Sequence, residues 1–526
     1  MSTQEKPRSQ RRDSSSDEEK RSTDNVGDLS SSNASSLKGE DVLALQDLDP
    51  AMNMKMHIVN NAIDQIGWTN YHWKLFMLNG FGYCVDSLMI LVQSIIAGQA
   101  YLEFGQHGYD KALTISMYGG ALVGALFWGL GADIIGRKWA FNCSLFVCAA
   151  SAVIAGGMPN WVSLAFFITM IGFGAGGNLI LDTTVFLEYL PGNKQWVLTL
   201  LAAWWGFGQA IAGFIAWGFM VPGKWNCTSV ETCTRSTNMG WRYVMFTSGT
   251  LVLVMSVLRI TVIRLRETPK YLLGMGDDAA VVETFQWLAK TYNRPCSLTL
   301  QQLEDCGVVR GTHSASRFSL SETLIHFRGL FATRGISVST LLIWLSWMLI
   351  GLAYPLFYVF LPTYLQGRGA NFPTDPYTTW RDYTLTNVSS IFGPILAGVM
   401  CNIPFLGRRY TMSIGALVTA AFFFAYSAVT TEAQNVGLSC AIGFCVNIYY
   451  GTLYAYTPEV LPSAHRATGN GVAVACNRVM GMMSAVIATY ADTATSAPIY
   501  VCAALFIGMA GLSAVFPFEP FGKRSS

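Results

Sequence analysis

Gly136-Arg137-Lys138 recurs as Gly407-Arg408-Arg409, and Glu188-Tyr189-Leu190-Pro191 recurs as Glu459-Val460-Leu461-Pro462, with both pairs of copies 271 positions apart. Ile171-Gly172-Phe173 against Ile442-Gly443-Phe444, and Trp73 against Trp344, keep the same shift. A common offset in four separate places marks a duplication, so the chain must fold as two homologous halves.

The solvent of those halves follows from composition. Hydrophobic residues make up 52% of the 526, charged residues only 13%, and the mean hydropathy is +0.36. A soluble core needs no such excess. Apolar segments fall at about 74–98, 112–131, 139–157, 162–185, 196–220 and 243–262, and again at about 336–360, 384–404, 410–430, 435–456, 468–489 and 498–516. Each suits one helix crossing a ~30 Å hydrocarbon layer. The expectation is an all-α membrane protein of twelve transmembrane helices in two pseudo-symmetric six-helix halves, 51–263 and 335–517. The polar stretch 264–334 joins them, 518–526 forms a short tail, and residues 1–50, rich in Ser and charge, read as a disordered tail. That tail has no apolar core of a secretory signal, so the first span is expected to direct insertion.

Basic residues near span ends set orientation. Fifteen, including Arg137, Lys138, Arg408 and Arg409, fall on one side, against six, including Lys111 and Arg242, on the other. Both termini and the connector are therefore expected in the cytoplasm. A net charge of +2 points to no nucleic-acid partner. Most of the twelve cysteines lie in apolar spans and act as small hydrophobes. Cys227 and Cys233 share one outer loop, where a disulfide or two free thiols are both open, and Asn226-Cys227-Thr228 is a glycosylation sequon there. No spacing suggests a metal or cofactor site. None of the six histidines shares a span with a nucleophile at catalytic spacing, so an enzyme is not expected.

Gly129-Leu130-Gly131-Ala132-Asp133-Ile134-Ile135-Gly136-Arg137-Lys138, between spans 2 and 3, resembles the signature loop of the major facilitator superfamily. Glu267-Thr268-Pro269-Lys270 after span 6 and Tyr456-Thr457-Pro458-Glu459-Val460-Leu461-Pro462 after span 10 resemble two further elements of that family. An Asp in span 1 and the glycine run Gly172 to Gly177 in span 4 look most like the branch holding synaptic vesicle protein 2 and bacterial niacin transporters, near the sugar porters. The resemblance implies a rocking transporter whose charged loops hold two halves together at one face. Arg137 and Lys138 are expected to pair with Glu188 and Glu267, Arg408 and Arg409 with Glu459 and Glu519, and Asp133 to cap a helix or meet the opposite half. Ile134, Ile168 and Pro404 depart from the family pattern, which predicts a weaker second gate and no span-4 arginine. Span 7 lacks the Gln-Gln pair of sugar porters, so a hexose ranks below other solutes. The glycine run lies in an apolar span with no preceding strand, which excludes a phosphate cradle and favours packing of span 4 against span 2 or 5.

Ionisable groups inside spans are costly and so are functional candidates. Asp86, Arg478 and Asp182 qualify, Asp182 nearer the basic end and assigned to the gate. Asp86 reads either as a carboxyl that takes a proton when the cavity dries, as a permanent partner of Arg478, or as a packing residue. Arg478 suits bidentate binding of a carboxylate. Gln93, Asn178, Gln209, Asn447 and Asn477 are candidate orienting groups, and Trp205 and Tyr450 candidate aromatic walls. Residues 86, 182 and 478 map by the 271 shift onto Phe357, Leu453 and Phe207, so the buried charges have no copy. The reading is a monomeric secondary transporter of a small organic solute, a carboxylate or aromatic metabolite, coupled to protons. It is expected in the plasma membrane, with a vacuolar membrane as the alternative. Efflux of a hydrophobic metabolite, a sugar porter and a transporter-like receptor remain open beside it.

Overall fold

The structure, a computed structural model, describes residues 50–104, 111–221, 225–261, 266–308, 327–367, 376–462, 465–490 and 497–521. The expected tail before Pro50 and the last residues of the chain lie outside them. Eleven segments among the described residues are long and apolar enough to cross a membrane.

In the first half these are α2 (Asn70–Glu103), α3 (Ala112–Ile135), α4 (Arg137–Ala155), α5 (Trp161–Tyr189), the pair α6 (Val197–Leu201) and α7 (Ala203–Met220), and α8 (Gly240–Thr261). In the second half they are α12 (Arg334–Gly367), the pair α13 (Pro376–Ser389) and α14 (Phe392–Cys401), α16 (Glu432–Val460), α17 (Arg466–Tyr490) and α18 (Ala497–Val515). The twenty-residue α15 (Gly407–Tyr426), which opens on two arginines, takes the ninth place and completes twelve helices in two halves.

Glycine sets the closest approaches. Gly120 and Gly124 of α3 face the carbonyls of Thr169 and Phe173, while Gly172 and Gly176 of α5 face those of Met117 and Ala121. In lipid, where burial drives association weakly, this backbone contact is what holds two helices together. Gly174 rests on Ser144 and Cys148 of α4. The run therefore serves spans 2 and 3; span 5 instead meets span 1, where Gly208 lies against the Cys84 carbonyl. The halves touch where Gly129 of α3 meets Gly471 of α17, and where Gly213 of α7 meets Thr384 of α13.

The polar segments are more ordered than composition suggests. α1 (Pro50–Ile66) precedes the first span, and α9 (Pro269–Gly274), α10 (Asp278–Tyr292) and α11 (Leu300–Glu304) follow the sixth. α10 is capped by Asp277, whose side chain accepts from the Ala280 amide at 3.0 Å. Lys55 meets Asp278 at 2.5 Å, and Gln65 accepts from Ser297, so α1 lies against the connector at the end that carries the Gly-Arg loops.

Candidate functional site

Where the halves meet, α2 and α7 bring one wall and α12, α16 and α17 the other. Ser87 on α2 donates to the Trp205 carbonyl at 2.8 Å and locks α2 to α7. One residue earlier, Asp86 is fully buried, and its Oδ1 accepts from Arg478 Nη2 of α17 at 3.2 Å. Its Oδ2 accepts from the Trp205 indole at 3.0 Å. A carboxylate and a guanidinium from opposite halves thus share one dry site, where their attraction is far stronger than in water.

Aromatic rings close it. Trp205 packs edge-on to Tyr450 at 4.7 Å, Tyr450 lies 4.9 Å from Tyr454, and Tyr454 lies 4.5 Å from Trp347. Beside the pair is a cavity of about 40 Å³ whose lining includes Tyr118, Trp205, Gln209, Tyr354, Asn477 and Arg478. That is room for a few waters at most, so this conformation is closed around its centre. Gln209 donates to Tyr354 at 3.1 Å, a second polar contact across the halves. Gln209 Oε1 and Arg478 Nε have no hydrogen-bond partner among the described residues, which leaves one acceptor and one donor at the cavity wall.

Six of the nine candidate binding residues gather here: Asp86, Arg478, Asn477, Gln209, Trp205 and Tyr450. Three do not. Gln93 bonds Thr114 of α3, Asn447 bonds the Gly443 carbonyl within its own helix, and Asn178 belongs to a different cluster with Asp182. The centre of that cluster is Arg259 of α8, which sequence reasoning passed over. Its Nη1 donates to Asn178 at 2.6 Å and the Phe141 carbonyl at 3.2 Å, its Nη2 to Asp182 at 2.7 Å and the Leu78 carbonyl at 3.2 Å, and it stacks over the Phe141 ring at 3.7 Å. Asp182 is thus part of a four-helix clamp inside the first half, not of the gate. The signal was a lone Arg between Leu258 and Ile260, inside an apolar stretch.

The residues expected to form gates make two matching sets. Arg137 pairs with Glu188, while the amides of Arg137 and Lys138 donate to Glu267 at 3.1 and 3.3 Å. Arg408 grips Glu459 with two nitrogens at 2.9 and 2.7 Å, and the amides of Arg408 and Arg409 donate to Glu519 at 3.0 and 3.1 Å. Each set needs a glycine with positive φ, Gly136 at +108° and Gly407 at +54°, to turn the chain so that successive amides point at one carboxylate. Lys138 contributes its amide, and its side chain is exposed. Both sets lie within single halves, which corrects the expectation that these charges hold the halves to each other. The second set forms in full although Pro404 stands in the place of Asp133. The Asp133 side chain lies outside the described residues.

On the opposite end Cys227 and Cys233 form a disulfide, Cα to Cα 5.4 Å. The Asn226 amide donates inward to the carbonyls of Phe219 and Met220 at 3.2 and 2.9 Å, so the group a glycan would need is turned away from solvent.

Residues 76–485 match the sequence profile of the Major Facilitator Superfamily. The chain belongs to that superfamily. It is 39% identical over 488 residues, 91% of this chain and 93% of the relative, to a protein named MFS siderochrome iron transporter 1 from Ceriporiopsis subvermispora. Niacin transporter NiaP of Acinetobacter baylyi is 24% identical over 437 residues, 82% of this chain and 89% of that one. Among solved structures, the proton:xylose symporter XylE aligns with a TM-score of 0.63 over 87% of this chain and 98% of its own, at 16% identity, which shows a shared fold. The chain is a membrane transporter and not an enzyme.

Proposed function

We propose that this transporter moves a small organic solute bearing a carboxylate, with an aromatic or apolar body, together with a proton. The observation that carries the reading is the Asp86–Arg478 pair, buried at the meeting of the halves and walled by Trp205, Tyr450 and Tyr118. An arriving carboxylate competes with Asp86 for the Arg478 fork. Asp86, losing its cation while still out of water, is satisfied by binding a proton. Solute and proton then enter together, and the paired state returns when both have left. Rings on three sides offer an aromatic body stacking surface. The relative named for niacin, a pyridine carboxylate, supports this choice. On this reading the basic end faces the cytoplasm, with the connector 264–334, both termini and the two charge sets there, and the membrane is the plasma membrane.

The relative named for siderochrome iron is the more similar of the two and favours a second reading, a larger metal chelate. Either solute needs the halves to part, because the present cavity of about 40 Å³ holds neither. Proteoliposomes with an imposed pH gradient separate them. Labelled nicotinate is expected to accumulate in the wild type. Asp86→Asn is expected to exchange nicotinate across the membrane but not to concentrate it, and Arg478→Gln to lose ~10- to 100-fold in affinity, the worth of one charge-assisted hydrogen bond. Asp86→Asn that still concentrates solute in proportion to the gradient refutes the coupling. Uptake of an iron siderochrome with no competition from nicotinate selects the second reading.

A further inference from the structure

Three buried carboxylates among the described residues differ in how their oxygens are engaged. Glu459 uses both oxygens on Arg408, and Glu103 uses one on Arg242 and the other on Trp241 and Asn238. Those are locks in which each oxygen is engaged by at least one donor. Asp182 differs, for Arg259 takes Oδ1, and Oδ2 is fully buried with no hydrogen-bond partner among the described residues. An ionised oxygen without a donor in such a place is costly, and a proton is the smallest group that relieves it.

The position is equally specific. Gly82 of α2, one helical turn before Asp86 on the side of the basic end, lies directly against Asp182 Oδ2, so close that a Cβ on Gly82 would collide with it. Tyr83, next along α2, bonds Thr183, the neighbour of Asp182, at 2.9 Å. The ionisable groups that face this site are Arg259 from α8 and Tyr83 and Asp86 from α2. Arg137 and Lys270 gather around Glu188, six residues farther along α5. Asp182 therefore stands between Asp86 and the basic end.

Arg259 is arranged so that the carboxylate can be neutralised without losing the clamp. Apart from Asp182, its guanidinium donates to Asn178, Phe141 and Leu78 and rests on the Phe141 ring. Three oxygens and a ring face remain if Asp182 takes a proton.

From this geometry we infer that Asp182 is a second proton-binding site of the transporter, on the basic-end side of Asp86. The proton binds Oδ2, Oδ1 stays with Arg259, and the proton leaves to water when the basic end opens. The inference deepens the proton-coupled reading given above. Its test reads the proton itself, so it can fail while uptake remains proton-driven, and uptake can prove uncoupled while it stands.

The experiment is infrared difference spectroscopy of the full chain in lipid across a pH titration, with carbon-13 in the aspartate carboxyls to mark their bands. The expected result is two buried aspartate bands in the wild type and one in Asp86→Asn, which disappears when Asp182→Asn is added. If that double variant does not fold, Asp86→Asn/Asp182→Asn/Arg259→Gln, which removes both members of the clamp, replaces it. In transport, Asp182→Asn is expected to retain nicotinate exchange and lose at least ten-fold in gradient-driven accumulation. Asp86→Asn with no titrating aspartate band overturns the inference. So does accumulation restored to wild type by neutralising Asp182 and Arg259 together, since that is the behaviour of a structural pair.

Discussion

Replacing Gly176 by alanine adds one carbon against the backbone of α3, where the new Cβ would lie 3.0 Å from both the Ala121 carbonyl carbon and Cα and closer still to its oxygen. Gly172 is in the same position against Met117, and Gly120 and Gly124 return the contact from the other helix. A backbone carbonyl cannot rotate away as a side chain does, so the helices must separate. Overpacking costs ~1–3 kcal/mol and this geometry belongs at the upper end. Alanine recovers ~1 kcal/mol in helix propensity, which leaves a net loss of about 2 kcal/mol. Gly218 and Gly511 have open space around them and are the controls, where the same change should be neutral or stabilising by up to ~1 kcal/mol. Thermal unfolding of purified protein reads the difference. For a unit the size of one half, ~1 kcal/mol corresponds to ~2–4 °C, so Gly176→Ala should unfold ~4–8 °C below wild type and Gly218→Ala at or above it. Equal midpoints for the two would refute the claim that glycine contact holds α3 to α5. A doubly substituted Gly124→Ala/Gly176→Ala protein losing no more than one variant alone would show that a single displacement accommodates both.

Three further outcomes follow from the same coordinates. Arg408→Met leaves Glu459 buried without its two donors and should destabilise by ~3–5 kcal/mol, whereas Arg408→Met/Glu459→Gln should recover most of it; chemical denaturation of the three proteins checks both. Replacing Cys227 and Cys233 by serine opens a short loop worth about 2 kcal/mol by closure entropy, to be read as a lower unfolding midpoint that reducing agent reproduces in the wild type. Asn226→Gln should leave gel mobility unchanged before and after glycosidase treatment, because the Asn226 amide is committed to Phe219 and Met220; a mobility shift would place it outward.

The transmembrane helices were legible because twenty-residue apolar runs have few other solutions, and the halves because the 271 shift is arithmetic. The helices α1 and α10 were not, since their amphipathic faces are short and diluted by polar residues, and only contact with each other, through Lys55 and Asp278, gives them a reason to form. The Asp86–Arg478 pairing was one of three readings of Asp86, because spacing says both lie at mid-span but not that they face each other. The repeat named equivalent charges correctly yet could not say that Arg137 and Arg408 turn toward their own halves. That depends on the glycine-directed chain turns at Gly136 and Gly407. Arg259 escaped because a cation near a span end reads as a topology signal, and its four acceptors come from three other helices that no local pattern connects.

Arg137–Glu188, Arg242–Glu103, Arg259–Asp182 and Arg408–Glu459 each stay inside one half, whereas Asp86–Arg478 crosses between them. A body that tilts about its centre moves most at its ends and least at its fulcrum. The strong bonds of this protein therefore travel with the levers, and the crossing bond sits where travel is smallest. On the proposed reading a rocking step carries Arg137–Glu188, Arg242–Glu103 and Arg408–Glu459 along intact, and only Asp182 need meet water. Between the halves, Gly129 rests on Gly471 and the Asp86–Arg478 pair makes the crossing charge contact, so on the reading proposed above the group that must let go when the halves part is also the one a solute and a proton would touch.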